Sequence, residues 1–247
     1  MYLTIKGLVL RVTSYNDTDA LLTLLTHSNG KITVKARGLR RKNSPLAAAC
    51  QLLAYSEFTL FEYRDMYTIN EAHSVELFYD LRKDLQKLSL GTYFVHVAEV
   101  LCQEDIPNPE LLSLVLNCMF SLTNLSVSEE LVKAAFELRS ACLSGYTPDL
   151  SGCHYCQKKD AVYFDISEGY LICSSCKGWG TSGIRMPVTP GALDAMCYLC
   201  HCDPKKLFSF TISDESMELV AQIAESYLTT RLERGFSSLD FYKTLQI

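Results

Sequence analysis

The sequence predicts a multidomain protein of α and β structure, in which a five-stranded β-barrel is followed by an α-helical domain with an inserted four-cysteine element. Three observations lead to this prediction. The first 80 residues contain short runs rich in β-branched and alternating apolar side chains. From about residue 75 the apolar spacing changes to the three-to-four-residue period of helices. Two Cys-x-x-Cys pairs then interrupt the helical region.

Five β-strands are predicted in the N-terminal region. They cover residues 3–12, 19–26, 31–36, 52–63 and 66–73. Asn29-Gly30 separates the second and third runs and is a strong hairpin signal, and Arg64-Asp65 links the last two runs. Five strands without intervening helices suit a small closed or partly open barrel.

Helical periodicity accounts for most of the remaining chain. Helices are expected from about residue 75 to residue 101 and over residues 110–125, 126–145, 190–202, 214–232 and 237–245. Ser126-Val-Ser-Glu129 has the capping-box pattern expected at the start of the third helix. The expected domains are the barrel at residues 1–79, a helical domain at residues 80–150 and 186–247, and the cysteine element at residues 151–185.

Four cysteines carry the sharpest chemical signal. Cys153-x-x-Cys156 and Cys173-x-x-Cys176 are separated by 16 residues, a spacing typical of structural zinc sites. Residues 162–172 between the pairs are predicted to form a hairpin that turns at Glu168-Gly169 and brings the pairs together. Four thiolates fill a tetrahedron and leave no open position for a catalytic water. We therefore expect a four-cysteine zinc element that holds one structural Zn²⁺ per chain.

Other cysteines and glycines give weaker signals. The chain has eleven cysteines, an odd number that favours free thiols and metal ligands over a disulfide framework. Cys197, Cys200 and Cys202 fall in a predicted helix without a second pair nearby, which favours packing and leaves a second metal site as the alternative. Residues 178–183 fit GxGxxG but lack the strand and helix of a dinucleotide site, and we expect Trp179 to pack against the metal element.

Neither a membrane protein nor an enzyme is indicated. No run approaches the roughly 18 apolar residues that span a bilayer, and the N-terminus lacks the layout of a signal peptide. The chain has no P-loop, GxSxG, HExxH or kinase signature, and its five histidines show no pairing with a nucleophile. We therefore expect a non-enzymatic protein of the reducing cytoplasm.

A basic stretch stands out against the formal net charge of −5. Six cations and no acid lie between Lys31 and Lys42, and most of them follow the third predicted strand. Small barrels of the OB type bind single strands with cations for the phosphates and aromatic rings for the bases. The candidate aromatic residues are Tyr55, Phe58, Phe61, Tyr63 and Tyr67. The alternative is a solvated turn whose charge protects an edge strand.

Motifs along nearly the whole chain carry a family resemblance. They are Ile5-Lys-Gly-Leu-Val-Leu-Arg11, Asn16-Asp-Thr-Asp-Ala-Leu-Leu-Thr-Leu-Leu-Thr26 followed by Asn29-Gly30-Lys31, Gly38-Leu-Arg-Arg41, Phe136-Glu-Leu-Arg139, Gly145-Tyr-Thr-Pro-Asp-Leu150 directly before the first cysteine pair, and Lys206-Leu-Phe-Ser-Phe210. In this order and spacing they resemble the RecO recombination mediators of bacterial DNA repair. The resemblance implies an N-terminal OB-fold, a helical domain and a zinc-binding element lodged within that helical domain.

The same resemblance implies a function and its partners. It implies binding of single- and double-stranded DNA, annealing of complementary strands, and help in loading RecA on DNA coated with single-stranded-DNA-binding protein, together with RecR. It also implies a bacterial cytoplasmic, nucleoid-associated protein that acts in DNA recombination after DNA damage.

The residues expected to contact DNA phosphates follow from this role. They are Lys35, Arg37, Arg40, Arg41 and Lys42. Lys31 and Arg11 are weaker candidates, and Arg139 is either a DNA contact or a partner for acids near Glu137. Two other classes of protein stay open: a protein-interaction module built on its zinc knuckle, and an RNA-binding OB protein with a zinc ribbon.

Overall fold

The computed structural model describes residues 2–64, 66–124, 126–180 and 183–246. Asp65 of the predicted strand link, Leu125 of the second predicted helix, and Thr181 and Ser182 of the glycine motif lie outside these residues. The chain divides into two compact units, one formed by Met1–Thr123 with Phe236–Ile247 and the other by Asn124–Gly235. The finer domain division, with boundaries after residues 79, 150 and 185, stays a prediction.

The first unit is built on a closed five-stranded barrel, which confirms the predicted fold class. Its strands are β1 (Tyr2–Ser14), β2 (Ala20–Thr26), β3 (Lys31–Ala36), β4 (Tyr55–Tyr63) and β5 (Met66–Glu76). They close in the order β1-β2-β3-β5-β4. The β3–β5 pair is parallel, and the other neighbouring strands are antiparallel.

Alternation of side chains along the strands forms the barrel core. In β3, and in β4 as far as Leu60, every second residue is buried, and the inward apolar side chains, including the fully buried Phe58, pack into one cluster. The turn between β2 and β3 places Gly30 at a φ of 64°. A Cβ at that position would lie 2.3 Å from the carbonyl oxygen of Ile106, so this close approach requires glycine.

The connection from β3 to β4 is a turn-rich segment, residues 37–54, that closes one part of the barrel. Leu46 and Cys50 from this segment pack into the barrel core. Leu53 has a left-handed φ of 68°, which interrupts extended structure. Strand β4 therefore begins at Tyr55, and its predicted start at residue 52 is wrong.

Six α-helices occur in the described part of the chain. They are α1 (Leu85–Leu101), α2 (Pro109–Asn124), α3 (Glu129–Leu143), α4 (Pro190–His201), α5 (Asp214–Arg231) and α6 (Ser237–Thr244). Within the described residues, no helix is both long and apolar enough to cross a membrane. In the first unit α6 packs on α1.

The start of α1 differs from the prediction of one helix beginning near residue 75. Strand β5 continues to Glu76, Phe78 adopts a φ of 47°, and Tyr79–Lys83 forms a separate 3-10 turn. The carboxylate of Asp84 then accepts the first free N–H groups of α1. The apolar period continues through this break, which explains why the sequence pattern missed it.

The second unit combines α3, α4 and α5 with a small four-stranded sheet. The strands β6 (Asp149–Cys153), β7 (Ala161–Asp165), β8 (Tyr170–Cys173) and β9 (Arg185–Pro187) lie in the order β6-β8-β7-β9. Strands β7 and β8 are antiparallel, and Gly169 has a φ of 78° between them, as the predicted hairpin requires.

The cap of α3 corrects the predicted capping box. Ser128, not Ser126, caps the helix, and its hydroxyl accepts a hydrogen bond from the Leu131 N–H at 3.2 Å. Helix α3 therefore begins at Glu129, which lies in its first turn instead of at the third helical position.

Candidate nucleic-acid interface and metal centre

The basic loop, defined as residues 37–42, leaves the end of β3. Arg37, Arg40, Arg41 and Lys42 are exposed there. Gly38 adopts a φ of 66° and its carbonyl accepts a hydrogen bond from the Arg41 N–H at 3.1 Å, which makes a tight turn. The turn gathers four cations at one end of the barrel strand.

A second loop, residues 15–19 between β1 and β2, holds the basic loop in place. Asp19 accepts a hydrogen bond from the Gly38 N–H at 2.9 Å, and its other carboxylate oxygen lies 3.3 Å from Lys35 Nζ. Lys35 Nζ also lies 4.7 Å from the centre of the Tyr15 ring. The Gly38 hydrogen bond, with smaller contributions from neighbouring side chains, lowers the pKa of Asp19 to about 2.

Arg40 is tied to the same second loop. Its backbone N–H donates to the Thr18 carbonyl at 3.0 Å, and its Nη1 donates to the Asn16 carbonyl at 2.6 Å. The side chain of Asn16 in turn accepts hydrogen bonds from the N–H groups of Thr18 and Asp19. Lys35 and Arg40 therefore fix the position of the basic loop.

The other three cations of the basic loop are not engaged in this way. Among the described residues, Arg37, Arg41 and Lys42 have no acidic partner within 4.0 Å. Arg37 and Arg41 line a groove of about 570 Å³ that Tyr2 and Phe61 also line. A guanidinium group in such a position can donate two parallel hydrogen bonds to two oxygens of one phosphate.

The weaker candidates for DNA contacts, which are Arg11, Lys31 and Arg139, lie outside the basic loop and contact other parts of the protein. Arg11 forms an ion pair with Glu99 at 2.8 Å. Lys31 Nζ lies 3.4 Å from the Glu104 carboxylate and donates to the Glu99 carbonyl at 3.2 Å, so both cations join the barrel to the end of α1. Arg139, in the second unit, donates from Nη1 to the Cys200 carbonyl at 2.7 Å.

The candidate aromatic residues differ in burial. Phe58 is fully buried in the core, Tyr55 and Tyr67 are half-buried, and Phe61 and Tyr63 are exposed. Sequence reasoning missed Tyr2, which pairs directly with Phe61 in the β1–β4 ladder. The signal that would have found Tyr2 is the register between two strands distant in sequence, which a single sequence does not specify.

The four predicted metal ligands lie together in the second unit. The Sγ atoms of Cys153, Cys156, Cys173 and Cys176 all lie within 4.8 Å of one another. Those of Cys156 and Cys173 are 3.6 Å apart. All but Cys156 are buried, so the group is a four-thiol site that could hold a metal ion.

Strand pairing and two tight turns bring the cysteines together. Cys153 ends β6 and Cys173 ends β8, and these two strands run parallel to each other. The Cys153 carbonyl accepts a hydrogen bond from the Gln157 N–H at 2.8 Å, which closes the first knuckle. Ser174–Cys176 forms a short 3-10 turn that closes the second.

The electrostatics of the four thiols suit a bound cation. Burial opposes ionisation of Cys153, but N–H groups of Cys173, Cys156 and Tyr155 outweigh it and lower its pKa to about 6. Burial, then the neighbouring thiols, raise the pKa of Cys176 to about 12. Four thiolates this close repel one another unless a cation compensates them. The four sulfur atoms could hold a metal ion that supplies this positive charge.

Aromatic side chains surround the four-thiol site. The ring of His154 stacks on that of Tyr170 with centroids 4.1 Å apart, and the hydroxyl groups of Tyr155 and Tyr170 are 3.1 Å apart. Trp179 contacts the Tyr155 ring edge-on at 5.8 Å but is exposed. Arg185 donates to the Trp179 carbonyl at 2.7 Å and thereby holds this segment near the site.

The three late cysteines belong to α4 and its end. Cys200 is buried, and Cys197 and Cys202 are half-buried. Among the described residues, the group around Cys153 is the one set of three or more cysteine, histidine or acidic side chains placed to hold a metal.

Comparison with known proteins identifies the family. A family model described as Recombination protein O N terminal matches residues 1–78, and one described as Recombination protein O C terminal matches residues 82–240. The DNA repair protein RecO of Acetivibrio thermocellus is 33% identical over 246 residues, which are 99% of this chain and 97% of the relative. The DNA repair protein RecO of Alkaliphilus metalliredigens is 31% identical over 248 residues, which are 99% of this chain and all of the relative. The chain belongs to the RecO family of DNA repair proteins.

Proposed function

We propose that this protein binds single- and double-stranded DNA, anneals complementary strands, and helps load RecA on DNA coated with single-stranded-DNA-binding protein, together with RecR. The observation that carries the proposal is the exposed set of Arg37, Arg41 and Lys42, which have no acidic partner within 4.0 Å among the described residues, beside a groove of a closed barrel. Membership in a family of DNA repair proteins supports DNA as the polyanion that these cations meet.

Neutralisation of phosphate charge is the physical basis of the annealing step. Two DNA backbones repel each other, and cations that contact the phosphates replace condensed counterions and release them. Phosphate contacts fix the position of a strand while its base edges stay free to pair. The role requires no covalent bond to form or break, so the protein acts as a mediator and not as an enzyme.

The charge distribution sets the conditions for binding. Because the chain has a formal net charge of −5, the basic loop is a local positive site on an acidic protein. Binding through such a site weakens as salt screens it and as counterion release becomes less favourable. Lys35 and Arg40 contribute mainly by holding the loop, and Arg37, Arg41 and Lys42 make the phosphate contacts.

A structural Zn²⁺ in the four-thiol site is the second part of the proposal. Cys153, Cys156, Cys173 and Cys176 would hold one ion per chain with a complete tetrahedron of sulfur ligands. Such an ion stabilises the fold around it and leaves no position for a reacting water. Iron would also accept four thiolates, and metal analysis of the purified protein distinguishes the two elements.

Partners and location follow from the same role. Single-stranded-DNA-binding protein and RecR are the proposed protein partners, and RecA is the protein whose loading is assisted. The proposed location is the bacterial cytoplasm at the nucleoid, where the DNA substrate lies.

Annealing of complementary oligonucleotides at several salt concentrations tests the DNA function. Arg37→Ala/Arg41→Ala should slow annealing and weaken binding to both strand forms. Lys205→Ala/Lys206→Ala removes the same charge from an exposed site in the second unit and serves as the matched control. Failure of the wild type to anneal contradicts the function, whereas equal annealing by the arginine variant contradicts only the assignment of the site.

The same assay separates the two alternative classes of protein. A clear preference for RNA over DNA would favour an RNA-binding barrel that recognises the 2′-hydroxyl. If the wild-type protein bound no polynucleotide even at low salt, this result would favour a protein-interaction module built on the cysteine knuckles.

A further inference from the structure

We propose that Tyr2 and Phe61 form a base-stacking platform and that the groove beside the basic loop is a site for unpaired nucleotides. The inference rests on the proposed DNA binding, because Arg37 and Arg41 hold the phosphates next to the rings. It extends that function by assigning the selection of single strands to two aromatic residues outside the basic loop.

The two rings form a pair on the outside of the barrel. Tyr2 and Phe61 lie directly opposite each other on β1 and β4, and their ring centroids are 5.3 Å apart. Tyr2 is 62% exposed and Phe61 is 40% exposed. Burying such rings is favourable, so a pair left in water offers stacking surface to a ligand.

The groove presents three kinds of group that match the parts of a nucleotide. Arg37 and Arg41 provide positive charge for a phosphate, and the two rings, whose planes are inclined by 54° to each other, provide apolar faces for a base. Asn70 of β5 adds an amide that can both donate to and accept from a base edge. The described residues that line the groove include no acid.

Ser44 supplies an independent sign of a ligand. It lines the same groove, and its hydroxyl is enclosed without a hydrogen-bond partner among the described residues. A buried hydroxyl without a partner is costly, and most such groups in native proteins are bonded. Its unmet hydrogen bond makes Ser44 a candidate contact for a nucleotide in this groove.

Stacking on protein rings requires a base whose face is open. In a duplex both faces of each base are covered by neighbouring base pairs, so Tyr2 and Phe61 cannot contact them without unstacking the DNA. A single strand exposes its base faces and can place one on the pair. Duplex DNA is therefore held by the basic loop alone, through its phosphates.

Three DNA probes separate stacking from phosphate binding. They are a short oligo-dT strand, an abasic phosphodeoxyribose strand of the same length, and a duplex of the same length. The variant Tyr2→Leu/Phe61→Leu keeps apolar side chains on the strands but removes the rings. We expect its affinity for oligo-dT to fall about 10- to 100-fold, while its affinities for the abasic strand and the duplex stay within about twofold of wild type, since their phosphate contacts are kept.

Two further variants provide controls. Tyr2→Phe/Phe61→Tyr keeps both rings and should bind oligo-dT like the wild type. Tyr79→Leu removes an exposed ring that does not line the groove and should change none of the three affinities.

Each contrary outcome identifies which proposal fails. Wild-type affinity of the leucine variant for oligo-dT would overturn the platform, and so would an equal loss for oligo-dT and the abasic strand. In both cases the wild type still binds DNA, so the proposed function stands. A wild type that binds none of the three probes would overturn both proposals.

Discussion

The carboxylate of Asp19 accepts a hydrogen bond from the backbone N–H of Gly38 at 2.9 Å, and this contact joins the β1–β2 loop to the basic loop. The same carboxylate lies 3.3 Å from Lys35 Nζ. The acid of the β1–β2 loop therefore lies beside the basic loop, where its charge is compensated by an ammonium group and an N–H dipole. The outcome is a fixed turn that directs Arg37 and Arg41 to the groove.

Removal of the Asp19 carboxylate should loosen the basic loop. In Asp19→Ala the Gly38 N–H loses its acceptor, and one net hydrogen bond corresponds to about a tenfold change in local opening. We expect hydrogen exchange at the Gly38 amide to accelerate by about that factor, as measured by NMR. Asp17→Ala removes the same charge from an exposed neighbour and should leave this amide unchanged. Equal exchange in Asp19→Ala and wild type would show that the contact does not order the loop.

Acid should weaken the same contact within a defined pH range. The pKa of Asp19 lies at about 2 in the folded protein, below its ordinary value of 3.8. The folded state thus binds this proton less readily than the unfolded state, and the stabilisation is complete above about pH 4 and lost as the pH falls toward about 2. The difference in Tm between wild type and Asp19→Asn should shrink over this range. A difference that stays constant between these pH values would contradict the assignment.

The salt dependence of DNA binding should count the phosphate contacts of the basic loop. Each lost contact lowers the slope of log affinity against log salt by about 0.7 for a single strand. Arg37→Ala/Arg41→Ala should therefore reduce the slope by about 1.4, as measured by fluorescence anisotropy over a salt series. Lys205→Ala/Lys206→Ala should keep the wild-type slope, and an unchanged slope in the arginine variant would exclude these two residues as phosphate contacts.

Local pattern was sufficient to predict much of the barrel and the grouping of the cysteines. Side-chain alternation and the Asn29-Gly30 turn are properties of neighbouring residues, and they placed β3 over residues 31–36. Each Cys-x-x-Cys pair closes a short turn, and this turn alone places its two thiols close together. Such signals need no knowledge of which distant elements meet.

Features that depend on distant contacts were not predictable in this way. The six cations of the basic stretch look equivalent in sequence, yet Lys35 is paired with Asp19 of the β1–β2 loop and Arg40 donates a hydrogen bond to the Asn16 carbonyl of the same loop. The Tyr2–Phe61 pair depends on the register of β1 against β4. The start of α1 was missed because Phe78 has a left-handed conformation that periodicity does not reveal.

Loss of one ligand should release the metal and destabilise the second unit. Cys176→Ser removes a buried sulfur from the four-thiol site, and we expect metal content near zero with a lowered Tm. Elemental analysis and thermal unfolding measure the two effects. Cys202→Ser changes a half-buried thiol outside the site and should keep the metal. Full metal content in Cys176→Ser would show that this cysteine is not a ligand.

Removal of the cation from a largely buried ion-pair cluster in the second unit should destabilise the protein strongly. Lys133 Nζ lies 3.1 Å from Glu137 and 2.8 Å from Glu225, and the Glu137 side chain is 0% exposed. Lys133→Met would remove the ammonium group from the buried Glu137 carboxylate and the half-buried Glu225 carboxylate, at a cost of about 3–5 kcal/mol in the free energy of unfolding. Chemical denaturation measures this loss, and Lys133→Met/Glu137→Gln should recover part of it because the buried charge of Glu137 is then removed as well. Lys83→Ala, at an exposed ion pair, should cost less than about 1 kcal/mol. A similar small cost for Lys133→Met would show that the cluster is not a stabilising element of the fold.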